Sequence, residues 1–359
     1  MPAEWEPHQS TWLAWPHKRQ DWPGKFEAIP WVFADIIRYL SRVEDVNLIV
    51  SSAREKKAAR EVLRHSNVDT KRVVFHIWPT DRIWTRDSGP IFISKPISKS
   101  ITKSTSESIS ESKTVALTNW RFNAWAKYPD WKRDNLLPER IAKKLQAMAF
   151  TPVIEHHGKP YHVVLEGGSI DVNGQGLMLS TEECLLSTVQ QRNPGLSQRA
   201  LEQVFADYLG VEKVIWLNRG IAGDDTHGHV DDISRFVSTD TVVTAVERSR
   251  ADVNYAPLQE NLRRLRAATD LHERKLQIVE LPLPRPIIFR GQRLPASYAN
   301  FYIANGLVLV PTFNDPNDRT ALNILAGLFP GREIVGIHCG DFIWGLGAIH
   351  CMTQQQPAV

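Results

Sequence analysis

The chain has 359 residues, 42% of them hydrophobic and 23% charged, with 43 lysines and arginines against 40 aspartates and glutamates, a net charge of +3. That is the composition of a globular protein with enough apolar side chain for a sizeable core. It argues against a nucleic-acid binder, which concentrates basic charge, and against a membrane span, which needs about 20 consecutive apolar residues. Residues 1–20 carry no basic segment followed by an apolar stretch, so no signal peptide is expected there. Three cysteines, Cys184, Cys339 and Cys351, are too few for a disulfide framework, and reduced thiols in a cytoplasmic protein are the simplest reading.

In chain order, Val32, Ile36, Ile37 and Leu40 share one face and predict a helix over Trp31–Leu40. A strand over Val46–Val50, a helix over Arg54–Leu63, a strand over Arg72–Ile77 and a short strand over Ile91–Ile93 follow. Ser94 to Thr114 then holds eight serines, four lysines and three threonines without an aromatic residue. Such a segment cannot bury enough apolar surface to offset its ordering entropy, and it reads as a flexible insertion between two strands. The strand pattern resumes at Val115 and is predicted to run to Phe122. A helix is predicted over Leu136–Phe150, with strands around Val163–Leu165, Ser169–Val172 and Gly176–Leu179. Leu196–Leu209 reads as an amphipathic helix closed by Gly210. Strands at Val214–Leu217, Ile233–Val237 and Val242–Val246 precede a helix over Asp252–Ala268. Beyond the strand Leu276–Leu281 lies a proline-rich connection, Pro282–Pro295. A hairpin across Asn305-Gly306, a helix over Arg319–Leu328 and a strand over Ile334–Ile337 complete the pattern. The alternation is α/β or mixed α+β in one domain spanning 1–359, with a doubly wound sheet as the default although no Gly-x-Gly-x-x-Gly opens a helix.

Four polar segments stand out. Asp87 lies in Trp84-Thr-Arg-Asp-Ser-Gly-Pro90, where an aspartate can simply accept backbone donors in a turn. Glu166 follows the apolar run Val163–Leu165 and precedes two glycines. It is either a carboxylate that needs a partner or a solvated residue at a bulge. Gly223 to Asp232 packs four carboxylates and two histidines into ten residues. If its end is extended, His229 and Asp231 point the same way. A metal site or a bland acidic loop would also account for the composition. Cys351 follows Gly345-Leu-Gly-Ala-Ile-His350, where glycines give access to a thiol, whereas Cys184 and Cys339 read as packed thiols.

Taken together these segments resemble the agmatine deiminase family of the guanidine-modifying superfamily. The resemblance rests on Met1-Pro-Ala-Glu-Trp-Glu-Pro-His8, Trp84 to Pro90, Trp120 to Trp125, Glu166 to Ile170, Thr181 to Leu186, Asp224 to Asp231, Ser297 to Asn305 and Ile349 to Pro357, all in order. It implies a five-bladed α/β propeller and a cofactor-free, metal-free hydrolase that converts agmatine to N-carbamoylputrescine and ammonia, or by the same route deiminates free or C-terminal peptidyl arginine. Cys351 is implied as the nucleophile and His229 as the general acid and base. Glu166 is implied to support His229, and Asp87 and Asp231 to clamp the guanidinium. Trp84 is implied to cover the cation's face, and Asp225 to read the substrate's far ammonium. A metal-dependent hydrolase on Asp224–Asp232 and a non-catalytic binder are the rival readings. The implied partner is a small cationic guanidine, not nucleic acid or a membrane, and homo-oligomerisation is left open. His227, Leu346 and Ala348 depart from the family's pattern in positions that bear on substrate choice.

Overall fold

The computed structural model describes residues 1–96 and 113–358. Most of the serine-rich tract, 97–112, lies outside them. Its flanks, Ile91–Pro96 and Lys113–Thr118, pair antiparallel, so both ends of the tract join adjacent strands of one sheet.

The described residues form five mixed sheets and two isolated hairpins. Four sheets share one plan: a first antiparallel pair, then a helix or loop crossover to a third strand running parallel to the second. They are Ile91–Pro96, Lys113–Thr118 and Ala149–Phe150; Asp171–Val172, Leu177–Thr181 and Lys213–Leu217; Ser234–Phe236, Thr241–Val246 and Gln277–Pro282; and Tyr302–Ala304, Leu307–Thr312 and Glu333–His338. The remaining sheet joins the two ends of the chain: Gln354–Pro357 lies antiparallel to His8–Ala14, which continues in parallel to Asp45–Val50 and Val73–Ile77. A parallel pair needs a crossover long enough to return the chain, and the helices Ile29–Val43, Ala53–His65, Leu137–Leu145, Gln198–Leu209, Tyr255–Ala267 and Asn317–Leu328 supply it.

Local sequence explains most of these elements. Ile29, Phe33, Ile36, Ile37 and Leu40 are fully buried along one stripe of the first helix, and Pro30 starts it. Ser197 accepts from Ala200 N at the start of the helix Gln198–Leu209, and Gly210 ends it at φ 69°. The Asn305-Gly306 turn closes the hairpin as expected, with Ala304 opposite Leu307.

Several boundaries differ from the sequence expectation. The helix expected to reach Phe150 ends at Gln146, whose φ is 53°, and Ala149–Phe150 becomes the outer strand of a sheet. Helical spacing of apolar residues ran on past the point where the backbone had turned. The strand expected to reach Phe122 stops at Thr118, because Trp120 folds back to donate its indole N–H to Thr118 Oγ1 at 2.8 Å. Val163–Leu165 contributes one bridge, Arg121 to Val164, and no strand. The proline-rich connection contains a small hairpin, Ile288–Phe289 with Gln292–Arg293. The strands His8–Ala14 and Gln354–Pro357, and the hairpin Val153–His156 with Lys159–His162, had no legible strand pattern.

Candidate active site

Cys351 sits in the turn before the strand Gln354–Pro357, where it is buried, 5% exposed, at a cavity of about 390 Å³. Its backbone is fixed from two sides: Arg86 N donates to Cys351 O at 3.2 Å, and Asn300 Oδ1 accepts from Cys351 N at 3.4 Å and from the preceding His350 N at 2.9 Å. Asn300 Nδ2 reaches Cys351 Sγ at 3.1 Å and Asp232 Oδ1 at 2.9 Å. Beside the thiol lies Asp231 Oδ2, 3.7 Å from Sγ.

Asp87 is on a single helical turn, Thr85–Ser88, rather than in a loop. Its oxygens are held across the fold, not by its own turn: Oδ1 accepts from Gly168 N at 3.0 Å and Oδ2 from Trp125 Nε1 at 2.9 Å. Trp125 reaches that position from an unusual turn in which Ala124, Trp125 and Ala126 all have positive φ, 50°, 58° and 53°. Three successive non-glycine residues in the left-handed region are strained and persist only where surrounding contacts hold them.

His229 lies between the carboxylates. Its Nδ1 is 3.7 Å from Asp87 Oδ1 and 4.0 Å from Asp231 Oδ1, and its Nε2 is 3.6 Å from Glu166 Oε2. These distances exceed hydrogen-bond length, and both ring nitrogens and Asp231 Oδ1 are buried without a hydrogen-bond partner. Such groups are costly unless something occupies the space between them. The glycine pair after Glu166 is explained here. A Cβ on Gly168 would fall 2.6 Å from His229 Nδ1 and 2.8 Å from Asp87 Oδ1. His229 and Asp231 do face the same site, although not by strand alternation: Val230–Asp232 is a 3-10 turn.

Glu166 is fully buried and paired, which decides between its two sequence readings. Arg192 Nε lies 3.2 and 3.3 Å from its two oxygens, while Arg192 is itself held by Gln190 O and Thr226 O. Cys184 is a packed thiol, as expected, but its sulfur lies within 4.8 Å of the ligand atoms of His229 and Glu166.

The electrostatics follow from burial among like charges. Burial, together with Asp231, Asp232 and Asp87, pushes the Cys351 thiol well above its ordinary range. Burial also raises Asp87, to about 6, with His229 opposing and Asp231 and Glu166 reinforcing the shift. For His229 burial acts downward, yet Asp87, Cys184 and Glu166 raise it well above its usual value. For Glu166 burial acts upward, and Arg192 and then His229 more than reverse it. Burial and the neighbouring Asp231 and Asp224 raise Asp232. At neutral pH the resting site therefore favours a thiol, an imidazolium and several carboxylates.

Trp84 lines the cavity beside Gly347, where a Cβ would meet Trp84 Cζ3 at 2.8 Å and Cys351 Cβ at 3.2 Å. Leu346, one of the departures from the family pattern, also lines it, in the left-handed region at φ 68°. His227 contacts Ser187 and Ala348 is buried beside Cys351. Asp225 lines the cavity too, but both its oxygens are engaged, one by Lys127 Nζ and the other by Tyr128 Oη at 2.7 Å.

The acidic run 223–232 does not converge on one point. Asp224 organises the loop by accepting from Thr226 N, Gly228 N and His229 N. Among the described residues, the triads close enough to hold a metal are Glu166–Cys184–His229 and Asp231–Asp232–Cys351. Asp224, Asp225 and His227 belong to neither. The first triad carries the Arg192 guanidinium on its glutamate, and the second includes the candidate nucleophile. Sequence reasoning missed Asn300, Trp125, Arg192 and His350. Asn300 lies in the quoted Ser297–Asn305 segment, where a buried amide between aromatic residues was the available signal.

A buried thiol, with carboxylates beside it and a histidine among them, suits a cation and a nucleophilic displacement on it. The chain belongs to the Porphyromonas-type peptidyl-arginine deiminase family, whose model matches residues 1–357. It is 35% identical to the agmatine deiminase of Pseudomonas aeruginosa over all of this chain and 95% of that one. It is 36% identical to the agmatine deiminase of Medicago truncatula, over 100% and 96%. Among solved structures, the agmatine deiminase of Enterococcus faecalis catalysing its reaction superimposes with a TM-score of 0.84 at 30% identity, covering 99% of this chain and 95% of that one. The C. jejuni agmatine deiminase with substrate bound superimposes at 0.82 and 27% identity, with the same coverage.

Proposed function

We propose that this chain hydrolyses the guanidinium group of agmatine, giving N-carbamoylputrescine and ammonia. The observation that carries the reading is the buried, unpartnered pair of His229 Nδ1 and Asp231 Oδ1, 4.0 Å apart, on a carboxylate whose other oxygen lies 3.7 Å from Cys351 Sγ. A guanidinium there places its nitrogens on Asp87 and Asp231 and its central carbon toward the sulfur. Planar cations and carboxylates pair well in this way. Trp84 supplies an aromatic wall for the cation's face.

The resting thiol is a poor nucleophile, and the arriving cation changes that by offsetting the carboxylates that hold the proton on sulfur, so that the S–H proton is released to solvent as the cation binds. The thiolate attacks the central carbon to give a tetrahedral adduct. The C–N bond then breaks as His229 gives its proton to the leaving amine, which departs as ammonia. The amidino-thioester that remains is attacked by water, from which His229 takes a proton. The C–S bond breaks and the ureido product leaves. Glu166, held by Arg192, supports the charged form of His229 throughout. Acid–base help of this kind is typically worth about 10²–10⁴-fold.

Release of ammonia from agmatine tests the reading. It should fall to background in Cys351→Ala, and retention of activity would reject the nucleophile. A second reading, deimination of free or C-terminal peptidyl arginine, is favoured by one observation: Asp225, the carboxylate placed for a distal ammonium, is already neutralised by Lys127. Comparing kcat/KM for agmatine, arginine and arginyl peptides decides between them.

We also read the five mixed sheets as five blades of one propeller domain over 1–359, supported by the recurrence of the antiparallel-then-parallel plan. A cytoplasmic location is supported by three free, buried cysteines. No helix among the described residues is long and apolar enough to cross a membrane.

A further inference from the structure

The cation clamp at Asp231 is itself clamped. His350 is buried and lies between two carboxylates, its Nδ1 2.7 Å from Asp231 Oδ2 and its Nε2 2.7 Å from Glu4 Oε2. Each ring nitrogen has a carboxylate oxygen within hydrogen-bond distance, so the imidazole is held at both ends. Glu4 is held in turn: Arg86 Nη2 lies 3.2 Å from Oε2, Arg235 Nη2 2.9 Å from Oε1, and Ile303 N donates to Oε1 at 2.8 Å. Arg235 also pairs with Asp171. Glu4 and Asp231 are thus linked through His350, and Glu4 is anchored by the buried guanidiniums of Arg86 and Arg235. The consequence at the site is specific. Asp231 has one oxygen, Oδ2, tied to His350, and the other, Oδ1, bare and facing His229.

We propose that His350 and Glu4 are positioning residues for the reaction: Glu4 orients His350, and His350 fixes the Asp231 carboxylate with one oxygen presented to the guanidinium. This rests on the proposed function, in that Asp231 must bind a cation. Neither residue touches the substrate. They act through Asp231, and His350 also adjoins Cys351, so the same turn sets the nucleophile and its counter-charge.

Two small alkylating agents of similar size separate this role from a merely structural one. Chloroacetamidine is cationic and needs the carboxylate clamp to reach Cys351, whereas chloroacetamide is neutral and does not. In His350→Gln and Glu4→Gln the ratio of inactivation rates, chloroacetamidine over chloroacetamide, should fall about tenfold or more, in line with the loss of a charge-assisted hydrogen bond. Glu4→Asp should restore part of the ratio. KM for agmatine should rise more than kcat falls. An unchanged ratio, or an equal slowing by both reagents, would overturn the proposal. Glu4→Gln keeps the side-chain volume and reads the same ratio should His350→Gln not fold. If the wild-type protein releases no ammonia from any guanidine, the functional reading fails, but the alkylation ratio still reports on whether Asp231 is positioned by His350.

Discussion

At the scale of single residues, the site is built from groups whose proton affinities are set against their resting roles. Cys351 holds its proton because it is buried and Asp231, Asp232 and Asp87 lie near it, whereas His229 holds one because Asp87, Cys184 and Glu166 outweigh its burial. A cation is the missing element that releases the first without discharging the second. At an effective dielectric of 20, one carboxylate 4 Å from a guanidinium contributes about 4 kcal/mol, so local charge outweighs a distant net charge screened over about 8–10 Å. Asp87 gives this a pH signature. Its carboxyl is raised to about 6, chiefly by burial, and only the ionised form binds the cation. We therefore expect kcat/KM for agmatine to fall as pH drops through about 6, with the limb moved or lost in Asp87→Asn; a kcat/KM profile flat from pH 7 to 5 would refute it. The residues found from sequence were those carried in recognisable segments: Cys351, His229, Glu166, Asp87 and Asp231. Asn300, Trp125, Arg192 and His350 act through contacts between segments far apart in the chain. Their roles are set by three-dimensional neighbours, which no local pattern encodes.

At the scale of elements, short irregular segments do the positioning and the sheets hold them. The left-handed turn Ala124–Ala126 carries Trp125 to Asp87 and leads directly into Lys127 and Tyr128, which hold Asp225. One loop thus touches both ends of the cavity. Lys127 pairs with Asp225, the carboxylate proposed to receive an agmatine ammonium, so on that proposal the two cations compete for it. Lys127→Met should lower KM for agmatine several-fold with little change in kcat, the scale of a partly exposed ion pair. Butylguanidine, which lacks the far ammonium, should be unaffected; an equal change in both would show that the lysine acts otherwise. These irregular elements were also where sequence reading was weakest. His229 and Asp231 would share a face in an extended run, but Val230–Asp232 is a 3-10 turn. Asp224 gathers three backbone N–H groups in the segment leading into it, and such side-chain-to-backbone bonds compete with strand or helix patterning. The long amphipathic helices, whose patterning comes from their own buried stripe, were placed within a few residues.

At the scale of the whole molecule, the net charge of +3 conceals a strongly acidic interior at the site and its balancing arginines, Arg86, Arg192 and Arg235. The mixed α/β class was legible from alternation. The arrangement into five separate sheets was not, because strands such as Gln354–Pro357 are polar in sequence and owe their burial to pairing with His8–Ala14. That pairing has a measurable role. Deleting residues 354–359 should remove activity and lower the melting temperature, since it exposes an edge of the sheet and frees the turn that holds Cys351. Wild-type kcat/KM in the truncated chain would show that the turn is held by other contacts alone.

The meeting of Glu4 with His350 spans 346 positions of sequence. Contacts that distant close late, after the entropy of a very long loop has been overcome. A ribosome-bound chain ending near residue 340 would hold Asp87, Glu166, His229 and Asp231 but neither the thiol nor the imidazole that steadies Asp231. Competence is therefore a report on completeness. On the proposed roles, a chain that stops before Cys351 should release no ammonia from any guanidine.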